Sequence, residues 1–304
     1  MMQIKQSVLA VIPVFNDSAS AMRLCDELLE VFSKSPYNFK ILLVDDGSST
    51  KEMESLLEIV KLSKISIVSN NKRMGSQAAI HFGIISAAAE YATYNILVMD
   101  ADGEDKPEDA LILADELFKD ANSLAILAQR GYRSAGLKFR IGYKIFKVLF
   151  KLITNVNLDI GNFAIIRNTW IHTLVNIPTA KNHISMNVIR YCPEYKKIRF
   201  NRGKRYSGKS KMNFSNLTLH GYAALSVFAD VAFSRILLGA SLLISFFYFS
   251  GLTLIGIKLF VKNSFITGWT SSIVTILLGM GTLLIIQVFT STLLLIKMNG
   301  VSKD

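Results

Sequence analysis

The chain has 304 residues, 51% of them hydrophobic and 19% charged, with a formal net charge of +11. That length holds one large domain or two small ones, and the apolar excess, concentrated at the C-terminal end, excludes an ordinary water-soluble globule. Two cysteines, Cys25 and Cys192, and four scattered histidines exclude a disulfide framework and a zinc-type cluster, and suit a reducing compartment.

In chain order, "SVLAVIPVF" from Ser7 reads as a first buried strand; Pro13 and the lack of a small-residue cleavage pattern set it apart from an export signal. The first 235 residues are therefore expected to stay in the cytoplasm. A helical pattern follows from about Ser18 to Phe32. "KILLVDDGSS" leads to a helix from about Lys51 to Leu62, and "ISIVSN" to one from about Gly75 to Tyr91. "NILVMDAD" leads to one from about Pro107 to Lys119, and "LAILAQR" closes the series. Continuous apolar strands alternating with helices predict an α/β fold on a mostly parallel sheet covered on both faces. Ligands of such folds bind beyond the C-terminal ends of the strands, where this chain places "FND", "DDGS" and "DADGED". It has no Gly-x-Gly-x-x-Gly turn, which argues against dinucleotide binding.

The densest acid cluster is "ILVMDADGEDKPED", Ile96 to Asp109. Glu108 and Asp109 follow Pro107 and suit a helix N-terminus. Asp100 and Asp102 are two apart on an extended segment and share a face; converging carboxylates repel unless a cation or a proton sits between them. On local pattern alone a strand-to-helix junction and a metal site both remain open. Three acidic strand ends on one rim favour a cation-and-nucleotide site.

Charge divides along the chain. Nineteen of the 23 acids precede residue 121, and none lies between Ala121 and Leu158 or between Tyr195 and Ala229, where basic residues abound. From about Leu137 to Ile153, "LKFRIGYKIFKVLFKLI" alternates basic and apolar residues at helical spacing, as in a helix lying in a membrane interface. Ile236–Ile257 carries no charge, and neither does Ser264–Ile296. Each exceeds the roughly 20 apolar residues that cross a bilayer, so a two-helix hairpin (about 236–257 and 272–296) is expected, with a juxtamembrane helix at 215–235. Beside such a hairpin the basic stretches suit anionic headgroups and phosphates rather than nucleic acid.

These segments together resemble the family 2 glycosyltransferases of GT-A fold, and within them the polyisoprenyl-phosphate branch. "VIPVFND" is similar to the branch's "PxYNE", "LLVDDGSS" to "VVDDGS", and "VMDADGEDKPE" to "DADLQDPPE". "DIGNFAIIR" resembles "DxGDFRLxDR", and "RYSGKSK" matches "RxxGxSK". The resemblance covers nearly the whole chain and implies a GT-A domain over 1–214, with the two membrane helices within 236–300.

It also implies roles. Pro13, Phe15, Asp17, Asp45, Asp46, Gly47 and Ser48 would line the nucleotide-sugar pocket together with Asp100. Asp100 and Asp102, with Glu104 in the place of the family's Gln, would bind Mg²⁺ or Mn²⁺ through hard oxygens. Arg130, Arg140, Arg205, Ser210 and Lys211 would act with Asp102 near the phosphates. Phe15 for Tyr, Asn162 for Asp and Ala164 for Arg are departures from the family pattern, as is "VFTSTLLLIKMNG" for the usual end of the last span. The expected partners are a nucleotide sugar, a polyisoprenyl phosphate such as undecaprenyl phosphate, and the membrane; nucleic acid is not expected, and self-association stays open. The expected place is the inner (plasma) membrane, multi-pass, with a cytoplasmic catalytic domain. A same-fold transferase acting on a sugar hydroxyl of a lipid-linked glycan is the alternative. The chain lacks the Glu-Asp pair that many relatives with hydroxyl acceptors carry as a base, and Asp159, His172, His183 and Glu194 sit in no base motif. A non-catalytic membrane partner or transporter subunit would leave the acidic strand ends unexplained.

Overall fold

The computed structural model describes residues 6–60, 63–130, 137–207, 214–260 and 268–301. They divide into two compact units, one of Met1–Lys151 with Val156–Phe228, the other of Leu152–Asn155 with Ala229–Asp304.

The first unit opens with β1 (Ser7–Val14), α1 (Ser18–Ser33), β2 (Asn38–Asp45), α2 (Thr50–Ile59), β3 (Ile65–Ser69), α3 (Ser76–Glu90), β4 (Asn95–Val98), α4 (Pro107–Lys119) and β5 (Ala125–Arg130). It continues with α5 (Leu137–Thr154, of which the residues up to Lys151 belong to this unit), β6 (Ile160–Ile166), α6 (Asn168–Val175), α7 (Ile184–Tyr191), β7 (Tyr195–Phe200) and α8 (Phe214–Ser226). The strand order is β3-β2-β1-β4-β6-β5-β7. The pairs among β1 to β4 are parallel, as is β5 with β7, whereas β6 runs antiparallel to both β4 and β5. β6 and β7 go beyond the five expected strands, and β6 separates β4 from β5. The sheet is mostly parallel and mixed.

Strand periodicity explains the two cores. Val8, Ala10 and Ile12 of β1 face one side, where they meet Ala21, Leu24 and Leu28 of α1 and Leu113 and Leu117 of α4. Leu9 and Val11 face the other, against Ile80 and Ile84 of α3 and Trp170 of α6. β1 is buried except at Ser7 and Pro13, so its run is apolar rather than alternating. Each such leucine or isoleucine contributes roughly 1.5–3 kcal/mol relative to exposure. Gly83 sets the approach of α3: a Cβ there would lie 2.5 Å from Val44 and 2.7 Å from Val11. A third cluster joins Phe150 of α5, Met186 of α7 and Ala224 of α8 to Val227 and Phe228.

Both cysteines are buried structural groups. Burial, helped by the charge of Asp26, pushes the Cys25 thiol up to about 12; burial also raises Cys192. The thiolate is the nucleophile, so Ellman's reagent at pH 8 is expected to titrate neither thiol in the native protein and both in denaturant. Rapid native labelling of Cys25 would contradict this packing.

The second unit contains α9 (Ala229–Phe260) and α10 (Trp269–Val301). The expected helix at 215–235 thus corresponds to α8 and the opening turns of α9. Both long helices meet the length and apolarity needed to cross a membrane, with mean hydropathy 1.9 and 2.2. Hydroxyls on them bond back to the preceding turn: Ser241, Ser245, Ser250 and Thr253 on α9, and Thr275 and Thr282 on α10. This satisfies their O–H donors within the same helix. Gly281 lets the Tyr248 ring lie on α10, where a Cβ would meet the ring at 2.6 Å.

Candidate active site

The C-terminal strand ends gather the expected residues on one rim. Pro13 stands one residue before the end of β1, in register with Val44. Beyond it, Asn16 takes a left-handed backbone (φ 47°) and laces two loops together. Its N–H donates to Ser48 Oγ (2.9 Å), and its Oδ1 accepts from the Ser49 N–H (2.9 Å). Asp17 is the N-cap position of α1 but makes no side-chain cap bond; the Ser18 N–H is satisfied by Glu52 instead, at 2.9 Å.

Asp45 and Asp46 are each 3% exposed. Asp45 accepts from the Ser48 N–H at 3.1 Å, and Asp46 accepts from the N–H groups of Met74 and Gly75 at 2.7 and 2.9 Å. These bonds fold the 70–75 loop over the rim. Gly47 (φ +78°) has to be glycine, since a Cβ would also stand 2.9 Å from the Arg73 nitrogen. The loop brings the Arg73 guanidinium to 4.2 Å from the centre of the Phe15 ring, a cation–π contact. Sequence reasoning missed Arg73; its signal was the pair of bases in "NKRMG", between the third strand and its helix.

The acidic turn after β4 is tightly organised. Gly103 (φ +83°) lies under the Tyr206 ring, which a Cβ would strike at 2.8 Å. Glu104 N–H donates to Asp102 Oδ1 (2.9 Å), and Asp100 N–H to Asp105 Oδ2 (3.2 Å). The segment carrying Arg205 folds onto this turn. Tyr206 N–H donates to the Asp102 carbonyl (3.0 Å), and Gly203 N–H to that of Glu104 (2.8 Å). Arg205 pairs with Asp102 (2.6 Å) and with Glu104 (2.9 Å), and Arg202 pairs with Glu104 as well. From α1, Glu27 accepts from the Tyr206 hydroxyl, Arg23 stacks over the ring at 4.3 Å, and Ser20 bonds Ser207 at 3.1 Å.

The electrostatics follow from this crowding. Burial, then the charge of Asp100, raises the Asp102 carboxyl, against the opposing pull of the Glu104 N–H and Arg205. For Arg205, burial lowers the guanidinium, but the Glu104 hydrogen bond and the Asp102 and Glu104 charges outweigh it and raise the group.

The residues fit a hard divalent cation of the kind held by one or two carboxylates together with substrate phosphates: Asp100 and Asp102 are oxygen donors on one turn, and Asp102 already holds a cationic side chain. Glu104, the third carboxylate of the expected set, faces Arg202 and Arg205 instead. Among the described residues no three ligating side chains converge on one point. Arg130 ends β5 and Arg140 lies in α5; their side chains, and Ser210 and Lys211 altogether, lie outside the described residues. Asp159 is engaged elsewhere, by Gln129 (2.7 Å) and Lys197 (3.3 Å).

A family model described as Glycosyl transferase family 2 matches residues 9–181, more than half of the chain. The chain is 24% identical over 286 residues to the glycosyltransferase YkcC of Bacillus subtilis, covering 91% of this chain and 84% of that one. It is 31% identical over 104 residues to the undecaprenyl-phosphate 4-deoxy-4-formamido-L-arabinose transferase of Aeromonas hydrophila, covering 34% of this chain and 31% of that one. Against a Synechocystis glycosyltransferase it spans 64% of that relative's length. The crystal structure of glucosyl-3-phosphoglycerate synthase from Mycobacterium tuberculosis, in complex with Mn²⁺, UDP-glucose and phosphoglyceric acid, superposes with a TM-score of 0.54 at 11% identity, over 75% of this chain and 80% of that one. That likeness establishes the shared fold. The chain belongs to glycosyl transferase family 2 and has the GT-A fold.

Proposed function

We propose that this enzyme is a membrane-anchored, inverting transferase that moves one sugar from its nucleotide donor to a polyisoprenyl phosphate such as undecaprenyl phosphate. The observation that carries the reading is the fold of residues 203–207 onto the acidic turn, with Arg205 on Asp102 and Glu104. The name of the Aeromonas relative supports the acceptor, and the two long apolar helices support the anchor.

Asp100 and Asp102 would hold Mg²⁺ or Mn²⁺, which when bound supplies Lewis-acid stabilisation of charge on the departing diphosphate. Phe15, Asp17, Asp45 and the 70–75 loop would enclose the nucleotide, with Asp46, Gly47 and Ser48 shaping that loop. Arg205, with Arg130, Arg140, Ser210 and Lys211, would offset charge on the phosphates of donor and acceptor. Glu104 would keep Arg205 at the turn. The acceptor phosphate, with a second pKa of about 6, is already ionised near pH 7, so it requires positioning rather than deprotonation. In-line attack inverts the sugar. The catalytic domain would sit at the cytoplasmic face of the inner membrane, with the apolar flank of α5 (Ile145, Val148 and Leu149, all exposed) toward the lipid interface.

The test is a panel of nucleotide sugars offered to the full chain in membranes with undecaprenyl phosphate, followed by replacement of each candidate base. Asp159→Asn, His172→Gln, His183→Gln and Glu194→Gln are each expected to keep activity within about tenfold, because a general base would supply roughly 10²- to 10⁴-fold. The acid limb of the parent's pH profile should track the acceptor's own ionisation. A thousandfold loss in one of the four, with fold and donor binding intact, would replace this reading with a hydroxyl acceptor.

A further inference from the structure

Behind the acidic rim, polar groups form a row from α7 to the turn after β4. The Ile184 backbone N–H, at the start of α7, donates to Gln77 Oε1 at 3.2 Å. Gln77 Nε2 donates to Asn162 Oδ1 at 2.5 Å, and Asn162 Nδ2 donates to Asp100 Oδ1 at 3.2 Å. Gln77 of α3 and Asn162 of β6 are 9% and 7% exposed. The sense of the row is fixed from both ends. A backbone N–H can only donate and a carboxylate can only accept, so neither amide can be turned over without setting oxygen against oxygen.

We propose that Gln77 and Asn162 are positioning residues that hold the Asp100 carboxylate in place for the cation and the donor diphosphate. The proposal rests on the reading above, in which Asp100 belongs to that site. Left alone, Asp100 would swing away from the like charge of Asp102. The Asn162 N–H draws Oδ1 in a fixed direction, and Gln77 prevents Asn162 from rotating. Such partners behind a metal ligand set its orientation, and their loss typically costs about 10- to 100-fold in metal affinity or activity.

The row makes an unusual demand that separates it from simple packing. Gln77→Glu is isosteric and still accepts from Ile184, but it cannot donate to Asn162. The Asn162 amide must then turn, presenting its oxygen to Asp100. A change two links from Asp100 should therefore reproduce the defect of Asn162→Asp, which places a carboxylate beside Asp100 directly.

The experiment measures Mn²⁺ binding to the full chain in detergent by electron paramagnetic resonance of the free ion, alongside turnover and melting temperature. Gln77→Glu and Asn162→Asp are expected to weaken Mn²⁺ binding by about 10- to 100-fold and to lower turnover in parallel. Gln77→Met and Asn162→Ala, which lose the aim without adding charge, should weaken it by about tenfold, the lower end of that range; they decide by the same criterion if the charged variants do not fold. Asp100→Asn serves as the reference. If it weakens Mn²⁺ binding while the folded Gln77 and Asn162 variants bind like the parent, the positioning role is overturned and the cation site stands. If Asp100→Asn leaves binding unchanged, the cation assignment falls, and the positioning role falls with it.

Discussion

Asp102→Asn is expected to reduce turnover by roughly 10³-fold or more, a transition-state loss of about 4 kcal/mol, while the chain still folds. The carboxylate is proposed to hold the cation that offsets charge on the leaving diphosphate, and that charge is greatest in the transition state. The substitution should cost the free protein little. Burial and Asp100 both oppose a charge at Asp102, so an amide of the same shape removes an unfavourable charge, even though it also removes one partner of Arg205. The melting temperature is therefore expected to stay within a few degrees of the parent, the pattern of a residue kept for activity rather than stability. Excess chelator should give the parent the same defect, and Mg²⁺ or Mn²⁺ should reverse it. Full activity in chelator would remove the metal from the mechanism.

Arg205→Ala is the second large loss, expected at roughly 10²- to 10³-fold, the usual cost of removing one preorganised donor from a developing charge. Arg205 is held by two carboxylates and by a segment tied to α1 through Tyr206 and Ser207, so its guanidinium is preorganised. Arg205→Lys should recover little, because an ammonium lacks the planar fork. Lys211→Ala is expected to behave similarly from its place in the same motif. Lys196→Ala and Lys197→Ala provide the contrast. From β7 they pair with Asp120 (2.6 Å) and Asp159 (3.3 Å) respectively, and such partly exposed pairs contribute about 0–1 kcal/mol. Turnover in both should remain within a few-fold of the parent; equal losses in all four variants would point to a diffuse basic surface instead.

Much of the first half was legible because local rules agree there. α4 spans Pro107–Lys119 as expected: proline at the first helical position, two acids in the first turn and a lysine in the last all favour the same boundaries. β1 to β5 announce themselves as apolar runs. β6 and β7 were not read as strands for different reasons. "IGNFAII" carries a glycine and an asparagine and attracts notice as a motif, while "YKKIRF" is half basic and lies at the sheet edge, with no residue fully buried. Whether such segments pair is decided by their neighbours, not by intrinsic preference. The site was legible as residue types at strand ends. Its internal wiring was not. Glu104 and Arg205 are 101 positions apart, and Gln77 and Asn162 are 85 apart; no local pattern reports a contact made by topology.

The place of β6 in the sheet has a consequence for how the chain is made. β1 to β4 can pair among themselves as soon as Val98 has emerged from the ribosome, because each finds its neighbour within that set. β5 cannot. Its two neighbours, β6 and β7, are both synthesised later, and β4 keeps an open edge until Ile160–Ile166 arrives. At roughly 5–20 residues per second, the interval from Arg130 to Ile166 leaves an apolar strand and an unpaired sheet edge exposed together for seconds. Unpaired edges invite association with other chains, so the nascent polypeptide passes through an aggregation-prone state after the acidic turn exists and before Arg205, which pairs with two of its carboxylates, has been translated.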